Sequence, residues 1–228
     1  MRTSAFEAAW LPVGGAARMR GCALLMLGYS LLMLGCAMTS KGDPLTPRFF
    51  SVAAPRESVA PGERREVRAE PFELRLGNVA AAAYLEERFV YRVSETELGY
   101  REDRRWTESP EAFLRRALAH ELFEVQGLRR VVSGAAPTLE VELTSFDELT
   151  FGQRRARLAV HVVLEDERNA LLEREIVVEE PVGSESGSEL PDAMSRALRR
   201  AVHEVALGVF DTLASVPNAT APSAHAAE

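Results

Sequence analysis

Residues 138–144 read Thr-Leu-Glu-Val-Glu-Leu-Thr, and residues 157–164 read Arg-Leu-Ala-Val-His-Val-Val-Leu. In the first stretch Leu139, Val141 and Leu143 alternate with Glu140, Glu142 and Thr144; in the second Leu158, Val160, Val162 and Leu164 share one face. A period of two sends one set of side chains into a core and the other into water, so both stretches are strands buried on one side. Asp166 to Asn169 then supplies a turn toward a strand through Ile176 to Val178. Three successive strands with such short connections predict an antiparallel meander.

Downstream, a Gly/Ser-rich loop at Val182 to Ser188 leads to Leu190, Met194, Leu198, Val202, Val205, Val209 and Leu213, spaced by fours and threes. That stripe, backed by Arg196, Arg199, Arg200 and Glu204, predicts a long helix lying across the sheet. Upstream, Phe72, Leu74 and Leu76 alternate until Gly77-Asn78, which predicts a first strand ending there. A second strand is expected at Arg88 to Val93, with Phe89, Tyr91 and Val93 on one face, and a third through Leu98 and Tyr100. Ser109 suits a helix cap, Pro110 the first helical position and Glu111 the positive end of the helix dipole. Leu114, Leu118 and Leu122, beside Phe113 and Ala117, make that helix's apolar stripe to about Val125, and Gly127 ends it. The expected fold is α+β, a mainly antiparallel sheet with two principal helices packed on it, in a single domain over residues 71–215. Residues 216–228 carry no apolar period and are expected to be a disordered tail.

The N-terminal region reads as an address. Met19 and Arg20 precede an apolar run from Cys22 to Leu34 that ends in Leu32-Met33-Leu34-Gly35-Cys36. A positive start, a short apolar run and a small residue before the cut are the layout of a secretory signal. A membrane-spanning helix needs roughly 20 apolar residues, and this run is shorter and broken by Tyr29 and Ser30. The end of the run resembles a bacterial lipobox, which implies a signal peptide over residues 1–35 and a diacylglyceryl group on Cys36. Met1 to Arg18 fit a signal poorly, and Met19 fits its start. Residues 36–70, with Pro44, Pro47, Pro55 and Pro61, read as a lipidated N-terminus and flexible tether whose one sticky point is Phe49-Phe50.

The chain has 228 residues, 27 Lys+Arg against 34 Asp+Glu, a net charge of −7, and 46% hydrophobic residues. Removing residues 1–35 takes away Arg2, Arg18, Arg20 and Glu7, a net +2, so the mature chain carries −7 − 2 = −9. That sign excludes a basic nucleic-acid binder, and the apolar content excludes a disordered chain. Cys22 and Cys36 both lie in or at the end of the apolar run, so no disulfide framework supports the domain.

No catalytic or cofactor signature emerges. His120, His161, His203 and His225 have no second histidine or cysteine at ligand spacing, so no metal site is expected. Gly183-Ser-Glu-Ser-Gly places Glu185 where a nucleophile elbow needs serine. No Gly-Lys-Ser/Thr phosphate loop occurs. The acidic groups Glu165-Asp166-Glu167 and Glu179-Glu180 fall at a turn and a strand end, where water reaches them. Trp106, just ahead of Pro110, is either a buried strap or an interface anchor.

Taken together, Cys36, Phe49-Phe50, Tyr84-Leu85, Phe89-Val90-Tyr91-Arg92, Leu98-Gly99-Tyr100, Arg105-Trp106 with Pro110, the Leu114/Leu118/Leu122 helix and Leu139 to Phe146 resemble the ABC-type transport auxiliary lipoproteins of the paraquat-inducible protein C (PqiC) type. The strand at 157–165 and a closing helix from Ala193-Met194-Ser195 continue the same order. The resemblance implies a non-catalytic lipoprotein of the outer membrane that faces the periplasm and has no cofactor beyond the lipid on Cys36. It further implies partnership with an ABC transporter and mammalian-cell-entry (MCE) proteins that move lipids, and a homo-oligomeric assembly. Phe49, Phe50, Tyr91, Arg92 and Trp106 are then the candidate partner or oligomer surface. An activator or scaffold of a cell-wall synthase would share the signal, the tether and the fold class.

Overall fold

A computed structural model describes residues 46–53, 71–183 and 189–215. The signal, Cys36, the Gly/Ser-rich loop beyond Gly183 and the expected tail lie outside the described residues.

Among the described residues, eight strands form one sheet. In chain order they are β1 (Arg48–Phe50), β2 (Glu73–Ala81), β3 (Arg88–Arg92), β4 (Leu98–Trp106), β5 (Arg129–Arg130), β6 (Thr138–Leu149), β7 (Arg155–Glu165) and β8 (Ala170–Pro181). Helix α1 (Pro110–Ala119) follows β4 and runs into a π-helical turn, His120–Val125; helix α2 (Glu189–Ser215) closes the fold. The meander is present as expected: β6 pairs antiparallel with β7 and β7 with β8, each along almost its whole length. Its turn is held by Asp166, whose Oδ1 accepts the backbone N–H groups of Arg168 and Asn169 at 2.7 Å.

The sheet is mixed, which alternation could not reveal. Because β7 takes one edge of β6 throughout, β2 and β3 share the other edge, and both run parallel to β6. β1 is parallel to β4 and β5 to β2, while β3 and β4 form an antiparallel pair. A period of two says which face of a strand is buried and nothing about the direction of its neighbour.

Both helices pack on one face of this sheet. Leu139, Leu143, Leu158, Val160, Val162 and Leu164 are fully buried, as the alternation requires. Every residue of the expected α2 stripe is buried too, but Ala193, Ala197, Ala201 and Ala206 are buried completely beside it. Small side chains there let the helix backbone lie close to β7 and β8. At the outer margin, Glu180 at the end of β8 accepts Arg200 Nη1 at 2.7 Å and Arg196 Nε at 3.3 Å, pinning the helix to the sheet edge. The hydrogen bond from Arg200, with that from Arg196, outweighs burial and holds the Glu180 carboxyl below its ordinary pKa.

Four local expectations are corrected. Gly77-Asn78 does not end the first strand; β2 continues to Ala81 through an irregularity between Leu76 and Val79. Gly77 lies so close to β6 that a Cβ there would meet Thr138 Cγ2 at 2.8 Å and the Leu139 carbonyl oxygen at 3.2 Å. In β3 the register shift between Arg88 and Val90 buries both Phe89 and Val90, leaves Tyr91 half-buried and exposes Val93. Residues 46–53, expected within the tether, belong to the domain: β1 is in the sheet and Val52 is in the core. The cap at Ser109 is supplied by its backbone, which accepts the Ala112 N–H at 3.0 Å, with no side-chain bond.

Gly77→Ala is expected to lower stability by about 1–3 kcal/mol through overpacking against β6, measured by urea unfolding; an unchanged midpoint would contradict the close approach.

Candidate functional site

Two consecutive carboxylates, Asp147 and Glu148, are fully buried at the C-terminal end of β6. Successive side chains on a strand point to opposite faces, so one carboxylate enters each side of the sheet. On one side Asp147 Oδ2 accepts Arg92 Nε at 2.6 Å and Ser145 Oγ at 2.8 Å, while the Tyr84 hydroxyl lies at 3.3 Å. Arg92 Nη2 in turn donates to the Tyr84 hydroxyl at 3.0 Å. On the other side Glu148 accepts Arg101 Nη2 at 3.1 Å and pairs with Arg154 Nε. The Arg101 guanidinium also covers the Tyr91 ring, 4.7 Å from its centroid. A buried carboxylate without a partner is severely destabilising, so these arginines are what allow β6 to run through the interior.

This network explains several of the residues that carried the resemblance. Arg92 is the counter-charge of Asp147, and Tyr91 stacks beneath the counter-charge of Glu148. Gly99 sits opposite Tyr91 in the β3–β4 ladder, and a Cβ there would meet the Tyr91 hydroxyl at 2.7 Å. Tyr84 and Tyr100 are linked by a bond from the Tyr100 hydroxyl to the Tyr84 carbonyl at 3.3 Å, and Arg88 covers the Tyr100 ring at 3.8 Å. Burial, followed by the neighbouring Asp147 charge, raises the Tyr84 phenol above its ordinary pKa of 10.0.

The candidate surface residues divide. Trp106 is 2% exposed, so its place is the core: it stacks on Phe89 with centroids 3.9 Å apart and meets Phe146 and Phe113 edge-on at 5.2 and 6.1 Å. Its position between β3, β6 and α1 leaves no face for a partner. Phe50 is half-buried and lies 5.4 Å from Phe89. Phe49, 63% exposed, is the one candidate whose ring stands mainly in water. Tyr91 and Arg92 are half-buried and committed to the network. Asp147 and Glu148 themselves escaped the sequence reading; their signal is a charged pair set between Phe146 and Leu149 in an apolar strand.

The three described histidines are scattered, each against a single glutamate: His120 with Glu124 at 2.9 Å, His161 with Glu173 at 3.3 Å and His203 with Glu121 at 2.9 Å. Among the described residues no group of three or more metal-ligating side chains converges, and no helix is long and apolar enough to cross a membrane. An open hollow of about 520 Å³ lies beside β3 and α1. Its lining is Leu85, Glu86, Glu87, Arg88, Arg105, Ser109 and Glu111, a charged rim with one aliphatic side chain.

The fold and the site together define an α+β domain whose buried chemistry is ion pairing and aromatic packing. Residues 51–206 match the family described as the ABC-type transport auxiliary lipoprotein component, and the chain belongs to that family. Among solved structures, a Xanthomonas campestris protein of family DUF330 superposes with a TM-score of 0.62 at 15% identity, over 72% of this chain and 96% of that one. A second, uncharacterised protein gives 0.57 at 16% identity, over 72% of this chain and 99% of the other. At these identities the likeness is one of fold. No curated protein matches the chain in sequence.

Trp106→Ala is expected to cost about 3–5 kcal/mol, whereas Phe49→Ala should stay within about 0.5 kcal/mol of wild type. Equal losses in denaturant titrations would mean that the division between core and surface is wrong.

The raised Tyr84 pKa gives a second prediction. The folded state holds this proton more tightly than the unfolded chain, so its contribution is complete below pH about 10 and is lost as pH rises through the higher folded value. Tyr84→Phe removes that proton, and its stability should fall less steeply than wild type between pH about 9 and 11. Parallel profiles would overturn the assignment.

Proposed function

We propose that this protein is a non-catalytic lipoprotein of the outer membrane, anchored through Cys36 and facing the periplasm. Its folded domain serves an ABC transport system of the MCE type, which moves lipids and supports membrane integrity, by docking rather than by chemistry. The observation that carries this reading is the family match over residues 51–206, whose description is an auxiliary lipoprotein of ABC-type transport. The arrangement of the polar groups supports the docking part: the two buried carboxylates are each taken up by arginines, which makes them struts rather than acids or bases.

The N-terminal segment supports the anchoring part. A short apolar run ends at a single cysteine, and several acyl chains on that cysteine would hold the protein firmly to a bilayer where one chain would not.

The test is an affinity tag at the C-terminus of the full chain, crosslinking in cells, and mass spectrometry of the detergent-solubilised complexes for wild type and Cys36→Ser. ABC and MCE-domain subunits are expected with the wild type and should be depleted by the substitution. Recovery of cell-wall synthases without transporter subunits would replace this reading with that of a synthase activator.

A further inference from the structure

Between the cysteine and the domain the sequence offers 35 residues, from Cys36 to Glu70, which would give an anchored domain a long reach. The fold interrupts that segment. Residues 48–50 pair with β4 in parallel, Arg48 opposite Arg104 and Phe50 opposite Trp106. The Phe50 carbonyl accepts the Thr107 N–H at 2.8 Å, Val52 is 4% exposed in the core, and the Ala53 N–H donates to Ser195 Oγ at 3.0 Å. Ser195 is itself fixed on α2 by its bond to the Pro191 carbonyl at 2.7 Å. The chain is thus held at successive points by a strand, by the core and by a helix before it continues toward β2.

We propose that residues 46–53 act as a clip that shortens the leash between anchor and domain. The inference rests on the lipidation of Cys36. From Cys36 to Thr46 is 46 − 36 = 10 steps, which fully extended span about 35 Å; from Cys36 to Pro71 is 35 steps, or about 120 Å. With the clip closed, the domain stays beside its own membrane, and a partner that crosses the periplasm must come to it. The number of residues between Ala53 and Pro71 then does not set the reach.

Two insertions separate the alternatives without disturbing the fold. A Gly/Ser segment of about 20 residues is placed either within residues 37–45 or within residues 54–70 of the full-length protein. The lipidated product is reconstituted in phosphatidylethanolamine/phosphatidylglycerol vesicles carrying a headgroup acceptor dye. The donor sits on Val132→Cys, an exposed site in a chain whose other mature cysteine is Cys36. Treated as a flexible coil, the leash grows from an r.m.s. length of about 17 Å to about 30 Å with the first insertion. The clip predicts a rise in mean donor-to-surface distance of up to about 13 Å for that insertion, and no change for the second. Equal shifts from both would show the clip open on membranes, and no shift from either would show that the leash does not set the distance; each overturns the proposal. Intact-mass measurement of Cys36 on the same samples reads the anchor separately, since an unacylated cysteine defeats lipidation and leaves the pairing of β1 untouched.

Discussion

The structure depends on the neutralisation of two adjacent carboxylates in the middle of its sheet. β6 is the strand on which everything else is assembled: β7 covers one edge, and β2 and β3 divide the other. Its last residues carry Asp147 and Glu148 into an environment without water, one toward each face. Removing the one cation that meets a buried carboxylate costs about 3–5 kcal/mol, which is the case of Arg92 with Asp147, whereas Glu148 is shared by Arg101 and Arg154. Arg92, Arg101 and Arg154 therefore fix the positions of β3, β4 and the β6–β7 turn relative to β6, and Tyr84, Tyr91 and Gly99 fill the space that this arrangement leaves.

The aromatic cluster performs the matching task by packing. Trp106 lies among Phe89, Phe113 and Phe146, and Phe50 extends the cluster to the edge strand β1. Stacked and edge-on rings contribute about 0.5–1.5 kcal/mol per pair beyond the apolar area they bury. This joins β1, β3, β4, β6 and α1 into one core. The segment that carries Phe50 and Val52 is thus tied to the same core as the helices.

Ion pairs of this kind hold the strands of the domain in register. The arginines are divided in use: Arg92 and Arg101 reach buried carboxylates, while Arg116 and Arg129 pair with Glu108 and Glu73 at the surface. Exposed pairs contribute little to stability, about 0–1 kcal/mol each, and the buried ones decide the architecture.

The meander, the two helices and their buried faces were legible in the sequence, because each is encoded by spacing within a dozen or so residues: Leu139 to Leu143, Leu114 to Leu122, Leu190 to Leu213. The lipobox-like cysteine and the failed nucleophile and phosphate-loop patterns are equally local. What tertiary structure decided is non-local. The parallel pairing of β2 with β6 joins Arg75 to Thr138 across 63 positions of sequence, and no periodicity in either strand specifies that direction. Asp147 and Glu148 have surface-type side chains that become interior only when arginines from β3, β4 and the β6–β7 turn arrive. Trp106 and Phe49 could not be told apart as core and surface until their strands had neighbours. A residue's own chemistry states what it needs, and the partners that meet the need come from elsewhere in the chain.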